Sequence, residues 1–273
     1  MWCNGSISAL GAFSPSSNLG TPTMKKDTSW GKVSNWYDKV VENDGSYQKQ
    51  VILPNLVRVL DLKPTDKVLD IACGQGFFSH ETAKVAKEVV GFDIGKTLID
   101  LANKTKLKNE QFLVASADKA FPFENSSFDK EFCVLALQNI KDLSNVFKEA
   151  ARTLKKGGRL VFVLNHPVFR VPQASDWGYD ELKKTQYRKV YSYLSEQTVK
   201  IDMHPGKPNS PKTISFHRPL QVYFKHLSKS GFAVLRFEEW ISHKESQKGP
   251  RKIAEDKARK EIPLFLMIEA VKL

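Results

Sequence analysis

Apolar and polar positions follow two periods along the chain. Short apolar, β-branched runs at 67–71, 89–93, 111–115, 129–137 and 159–164 read as strands buried on both faces. Between them lie stretches with a helical period, predicted over 77–87 and 95–104. The clearest has Leu143, Val146, Phe147, Ala150, Ala151 and Leu154 at i, i+3, i+4, i+7, i+8 and i+11. Asp142 stands where it can cap that helix, and Gly157-Gly158 is expected to end it. Strand and helix in alternation predict an α/β fold with a parallel sheet and right-handed crossovers.

The rhythm breaks at 165–218, a stretch rich in aromatic residues, and resumes at Pro219 with a helix carrying Leu220, Tyr223, Phe224 and Leu227 on one face. Two last strands are expected at 232–241 and 263–271, separated by a Lys/Arg-rich helical excursion over 243–261. Ahead of the first strand, Ile52, Leu53, Leu56, Val57 and Leu60 predict a helix with Pro54 in its first turn, where proline is tolerated.

The stretch Val68-Leu69-Asp70-Ile71-Ala72-Cys73-Gly74-Gln75-Gly76 joins the first strand to the first core helix. Glycines let the backbone approach a ligand, and the free N–H groups of the helix start favour a negative end. Asp70, at the strand end, does nothing for a pyrophosphate but suits an ammonium group. The third glycine of a dinucleotide fingerprint is replaced by Ser79. Asp93 ends the next strand and suits two ribose hydroxyls, while Asp118 follows the third. Three successive strands ending in acids define a ligand edge at the carboxyl ends of the sheet.

These motifs, followed by A-S-A-D-K-A-F-P-F-E-N-S-S-F-D and L-K-K-G-G-R-L, resemble the class I S-adenosylmethionine-dependent methyltransferases, in particular the quinone C-methyltransferase-like, small-molecule branch (methyltransferase type 11). The resemblance is close over 60–165 and looser over 219–273. It implies a Rossmann-like seven-stranded sheet of order 3-2-1-4-5-7-6, the last strand antiparallel, with helices on both faces and a cap inserted after strand five. It implies S-adenosyl-L-methionine as cofactor, held by Asp70, Ala72, Gly74, Gly76, Asp93, Ile94, Ala117, Asp118, Leu135 and Ala136. In that site Asp70 and nearby carbonyls meet the methionine ammonium, Asp93 the ribose, Ile94 the adenine face and Asp118 the adenine amino group. For each acid the competing reading is a helix cap or turn carboxylate.

The acceptor is expected beside the ends of strands four and five, which carry Asn139 and Asn165-His166-Pro167. His166 and His217, at the two ends of the 165–218 insertion, are the candidate general bases; the competing reading has each bonding loop backbone. Trp177 and Tyr187 are expected to enclose the acceptor from the cap, and Tyr37 and Tyr47 from N-terminal lid helices within 30–60. No metal is expected. No N-P-P-Y-type motif follows strand four, which argues against adenine-N6 nucleic-acid chemistry. No cysteine stands where pyrimidine-C5 methylation would need a nucleophile.

Charge adds one rival reading. Lys and Arg total 42 against 30 acids, net +12, so an RNA acceptor is the alternative to a small molecule. The lysines are scattered, which favours a solvated surface. A non-catalytic binding domain is a second alternative, and the intact acids and glycines argue against it. Cys3, Cys73 and Cys133 have neither metal nor disulfide spacing, and no apolar run is long enough for a membrane span, so a reducing, cytoplasmic setting is expected. Residues 1–29 are expected to be a disordered extension, with Met24 as an alternative start, and 30–273 the catalytic domain.

Overall fold

The computed structural model describes residues 43–203 and 209–273. The expectations for 1–29, for Tyr37 and for the first part of the lid region lie outside the described residues. What is described there begins with a π-helical turn, Gln48–Ile52, running into α1, Leu53–Leu60, with Pro54 in its first turn.

The core alternates as the periods require: β1 (Lys67–Ile71), α2 (Phe77–Ala83), β2 (Glu88–Asp93), α3 (Lys96–Thr105), β3 (Glu110–Val114), β4 (Phe128–Val134), α4 (Leu143–Thr153) and β5 (Leu154–Asn165). Two hairpins follow, β6 (Ser175–Asp180) with β7 (Thr185–Val190), then β8 (Gln197–Asp202) with β9 (Lys212–His217). The chain closes with α5 (Leu220–Lys229), β10 (Phe232–Trp240), α6 (Lys252–Glu261) and β11 (Phe265–Lys272). The main sheet has the order β10-β11-β5-β4-β1-β2-β3, all parallel except β11, which is antiparallel to both neighbours. This is the predicted 3-2-1-4-5-7-6 order.

Strand residues alternate between two apolar layers. Leu69, Ile71, Phe162, Leu164 and Ile268 face α4 and α5; Val68, Val161, Val163 and Met267 face α1. Both faces of the central strands are covered, which is why they read as continuous apolar runs, while the edge strands β3 and β10 are partly exposed. A fully buried side chain such as Phe132 or Phe162 contributes about 1.5–3 kcal/mol.

Three local expectations are corrected. The helix predicted to 87 ends at Ala83. Gly157 and Gly158 do not end α4, whose last residue is Thr153; they sit in an irregularity of β5, with Gly157 at φ +75°. The 243–261 excursion is helical only from Lys252.

Candidate functional site

The glycine turn is built by strain and close packing. Ala72 leaves β1 at φ 59°, followed by Gly74 at 58° and Gly76 at 84°, while Leu135 leaves β4 at φ 53°. Left-handed backbone at a non-glycine residue is costly and clusters at ligand sites. A Cβ on Gly76 would lie 2.8 Å from Phe112 Cζ, so that glycine serves packing. A Cβ on Gly74 would meet nothing within 4 Å, because that backbone faces open space.

That space is a cavity of about 300 Å³ at the carboxyl ends of β1 to β4. Ala72, Gly74, Asp93, Ile94, Ala117, Asp118, Leu135, Ala136 and Asn139 line it, together with Ser116, Ile140, Thr213 and Ile214. Asp93 accepts from Gly95 N at 2.7 Å and Gly74 N at 3.1 Å, so the second acid also fixes the glycine turn. Burial pushes its carboxyl above the usual range against the pull of those N–H groups. Asp118 Oδ1 accepts from Asp142 N at 2.7 Å, and Asp142 in turn caps α4 through Asn145 N at 2.9 Å. Asp118 is thus both turn carboxylate and cavity wall. Ile94 is 54% exposed, a large apolar side chain at the rim. An acid at the end of β2, an open glycine backbone and an exposed apolar rim fit S-adenosylmethionine.

Asp70 and Gly76 stand behind this wall. Asp70 is buried and accepts a 2.6 Å hydrogen bond from Ser79 Oγ, the residue in place of the third glycine. Desolvation is the main cause that carries its pKa up to about 8. Its carboxyl therefore ties β1 to α2.

A second cavity, of about 270 Å³, shares Leu135 and Asn139 with the first. Its walls include Gln48, Gln138, Asn165, Pro167, Arg170, Pro172, Ile201, Phe216, His217 and Tyr223. His217 is buried, and its Nε2–H donates to Tyr193 O at 2.8 Å. Nδ1 is then an acceptor with no hydrogen-bond partner among the described residues.

The remaining expected residues are placed elsewhere. His166 has both ring nitrogens engaged: Nδ1 accepts from Val168 N at 3.3 Å, and Nε2 donates to Glu239 at 2.7 Å. It is 1% exposed, lines neither cavity, and burial lowers its pKa. The ring thus links the Glu239 carboxylate to the Val168 N–H. Tyr47 donates or accepts at Ser242 Oγ (3.0 Å) and packs edge-on against His243 and Phe265. Trp177 and Tyr187 lie on the β6–β7 hairpin, outside both cavities. Tyr187 crosses its partner Gly178, Trp177 packs under Arg188, and the hairpin joins α6 through Arg251–Glu181 at 2.6 Å.

Reading by residue type missed Arg170, Thr213 and Ile214. Arg170 was findable: the Asn165-His166-Pro167 turn brings its N–H to His166 O at 2.9 Å, one turn beyond the strand end. Thr213 and Ile214 depend on hairpin placement and had no local signal.

Sheet order, the acid at the end of β2 and the open glycine turn define the class I methyltransferase fold. Residues 69–162 match the family model described as "Methyltransferase domain". A demethylmenaquinone methyltransferase of Lactococcus lactis is 28% identical over 182 residues, 63% of this chain and 68% of that protein. One of Bacillus cereus is 30% identical over 138 residues, 48% of this chain and 57% of that protein, so the match spans little more than half of the relative. The crystal structure of an S-adenosylmethionine-dependent methyltransferase from Mesorhizobium loti superposes with a TM-score of 0.67 at 25% identity, covering 84% of this chain and 99% of that one. The chain thus carries a methyltransferase domain over residues 69–162 and has the fold of the class I S-adenosylmethionine-dependent methyltransferases. Among the described residues no helix is long and apolar enough to cross a membrane.

Proposed function

We propose that the protein transfers a methyl group from S-adenosylmethionine in the first cavity to a small molecule in the second. The observation that carries this is the shared wall: Leu135 and Asn139 border both spaces, so a donor in one and an acceptor in the other meet there. The relatives named above act on a quinone precursor by name, which supports a small acceptor over RNA.

When bound, the sulfonium supplies an electrophilic methyl group. The chain's part is to hold the partners in line and exclude water, which can supply on the order of 7–11 kcal/mol. In this reading Asp93 accepts the ribose hydroxyls, Asp118 the adenine amino group, and Ile94 covers the ring. Asn139, anchored by its Nδ2 donating to Ile214 O at 2.9 Å, ties the β9 lid over the junction. His217 Nδ1 takes the proton of an oxygen or nitrogen acceptor, with the ring held in that tautomer by Tyr193 O.

The test is calorimetry with S-adenosylhomocysteine. The wild-type protein should bind it, and Asp93→Ala should lose roughly 1.5–3 kcal/mol, the scale for a hydrogen bond to a charged group. Unchanged affinity in a folded Asp93→Ala protein would remove the cofactor assignment.

A further inference from the structure

The second cavity contains a cation without a counterion. Of the arginines among the described residues, Arg58, Arg152, Arg159, Arg236 and Arg251 pair with carboxylates. Arg259 bonds Ser246, Arg188 bonds Phe169 O and Ser175 Oγ, and Arg218 bonds the carbonyls of Leu137, Ile140 and Lys141. Arg170 is the exception: its guanidinium has no ion pair and no hydrogen bond among the described residues, and it lines the cavity.

Arg170 is exposed at the cavity mouth, with the like charge of Arg188 nearby. An anion entering the cavity therefore meets a guanidinium that has no carboxylate to exchange for it. No Asp or Glu lines that cavity.

The rest of the wall narrows the ligand. Pro167, Pro172, Ile201 and Phe216 present apolar surface, and about 270 Å³ admits only a compact body. Gln138 also lines the space; its Nε2 donates to Leu135 O at 2.6 Å, leaving Oε1 buried without a partner. Rotation of that amide toward the cavity would let Oε1 accept from a ligand hydroxyl or amine.

We infer that the acceptor is a compact carboxylic acid with a hydroxyl or amine group, its carboxylate paired with Arg170 and its donor group directed to Gln138 and His217. This rests on the proposed assignment of the second cavity as the acceptor site. A planar guanidinium matches a carboxylate in a bidentate pair, and its single positive charge matches a monoanion. A phosphoryl dianion would need further free donors, and the cavity's other cation, Arg218, commits three of its five N–H donors to carbonyls.

The experiment measures binding of 4-hydroxybenzoate, 4-hydroxybenzamide and phenyl phosphate by calorimetry, with and without saturating S-adenosylhomocysteine. Wild type, Arg170→Gln and Arg170→Lys are compared, with circular dichroism checking that each is folded. The expected result is that 4-hydroxybenzoate binds wild type, that Arg170→Gln weakens it roughly 10- to 100-fold, and that Arg170→Lys recovers part of the loss. The amide should bind wild type and Arg170→Gln alike. S-adenosylhomocysteine affinity should be the same in all three proteins. Four results overturn the inference: no binding of the acid to wild type, equal binding of acid and amide, tighter binding of phenyl phosphate than of the acid, or full retention of acid binding in Arg170→Gln. Failure of wild type to bind S-adenosylhomocysteine would instead sink the cofactor reading, while the acid subsite is still decided by the Arg170 comparison made without it.

Discussion

The two hairpins of the 165–218 insertion have equal strand lengths and opposite fates. Strands β6 and β7 carry the aromatic side chains, yet Trp177 and Tyr187 stay 38% and 40% exposed and their hairpin leans on α6. Strand β9 carries Thr213, Ser215 and His217 on its buried face, and that hairpin covers the junction of the two cavities. The difference is in the anchors. Asn139 reaches Ile214 O, and Arg218 crosses to the carbonyls of Leu137, Ile140 and Lys141, so the β8–β9 hairpin is bonded to the loop after β4. The β6–β7 hairpin is bonded to a surface helix. Aromatic content alone does not locate a binding wall; the polar contacts that fix a hairpin's base do.

Substitutions in each hairpin sharpen or break this contrast. The largest expected effect is at His217. His217→Ala should lower turnover roughly 10²–10⁴-fold with S-adenosylhomocysteine affinity unchanged. Full turnover in that variant would end the base role. Next is the anchor. Arg218→Ala leaves two buried carbonyls and one part-buried carbonyl short of a donor and should cost about 2–4 kcal/mol in urea unfolding, with a matching loss of acceptor binding. If stability holds, the hairpin is secured by something other than these bonds. Smallest is Trp177→Ala, which removes only a cation–π contact with Arg188, and should cost under about 1 kcal/mol and leave turnover as it was. A large loss of turnover there would return the first hairpin to the acceptor site.

Much of the fold was legible because its central strands are buried on both faces and α4 shows a clear apolar stripe. Lys67–Ile71 was predicted to the residue. Asp93, Ile94 and Asp118 were legible because an α/β sheet gathers ligands at strand ends, so position in the strand implies position in the cavity. Asp70 shows the limit of that rule. It lies one residue before the end of β1, and its carboxyl is buried against Ser79 Oγ. His166 and His217 could not be told apart by residue type, since both flank the insertion. Only the partners distinguish them: Glu239 and Val168 N occupy both nitrogens of His166, whereas Tyr193 O occupies one of His217. Arg170 stands one turn past the end of β5, a position the sequence does offer, but its lack of a counterion depends on which side chains the fold brings near it.

The central claim is that donor and acceptor meet where the two cavities share Leu135 and Asn139. A crystal structure with S-adenosylhomocysteine tests it most directly. The account predicts the ribose on Asp93, the adenine against Ile94 and beside Asp118, and the sulfur at Leu135 with its open side toward His217 and Arg170. A sulfur directed away from the second cavity, or a nucleoside lying outside the wall formed by Asp93 and Asp118, would contradict it.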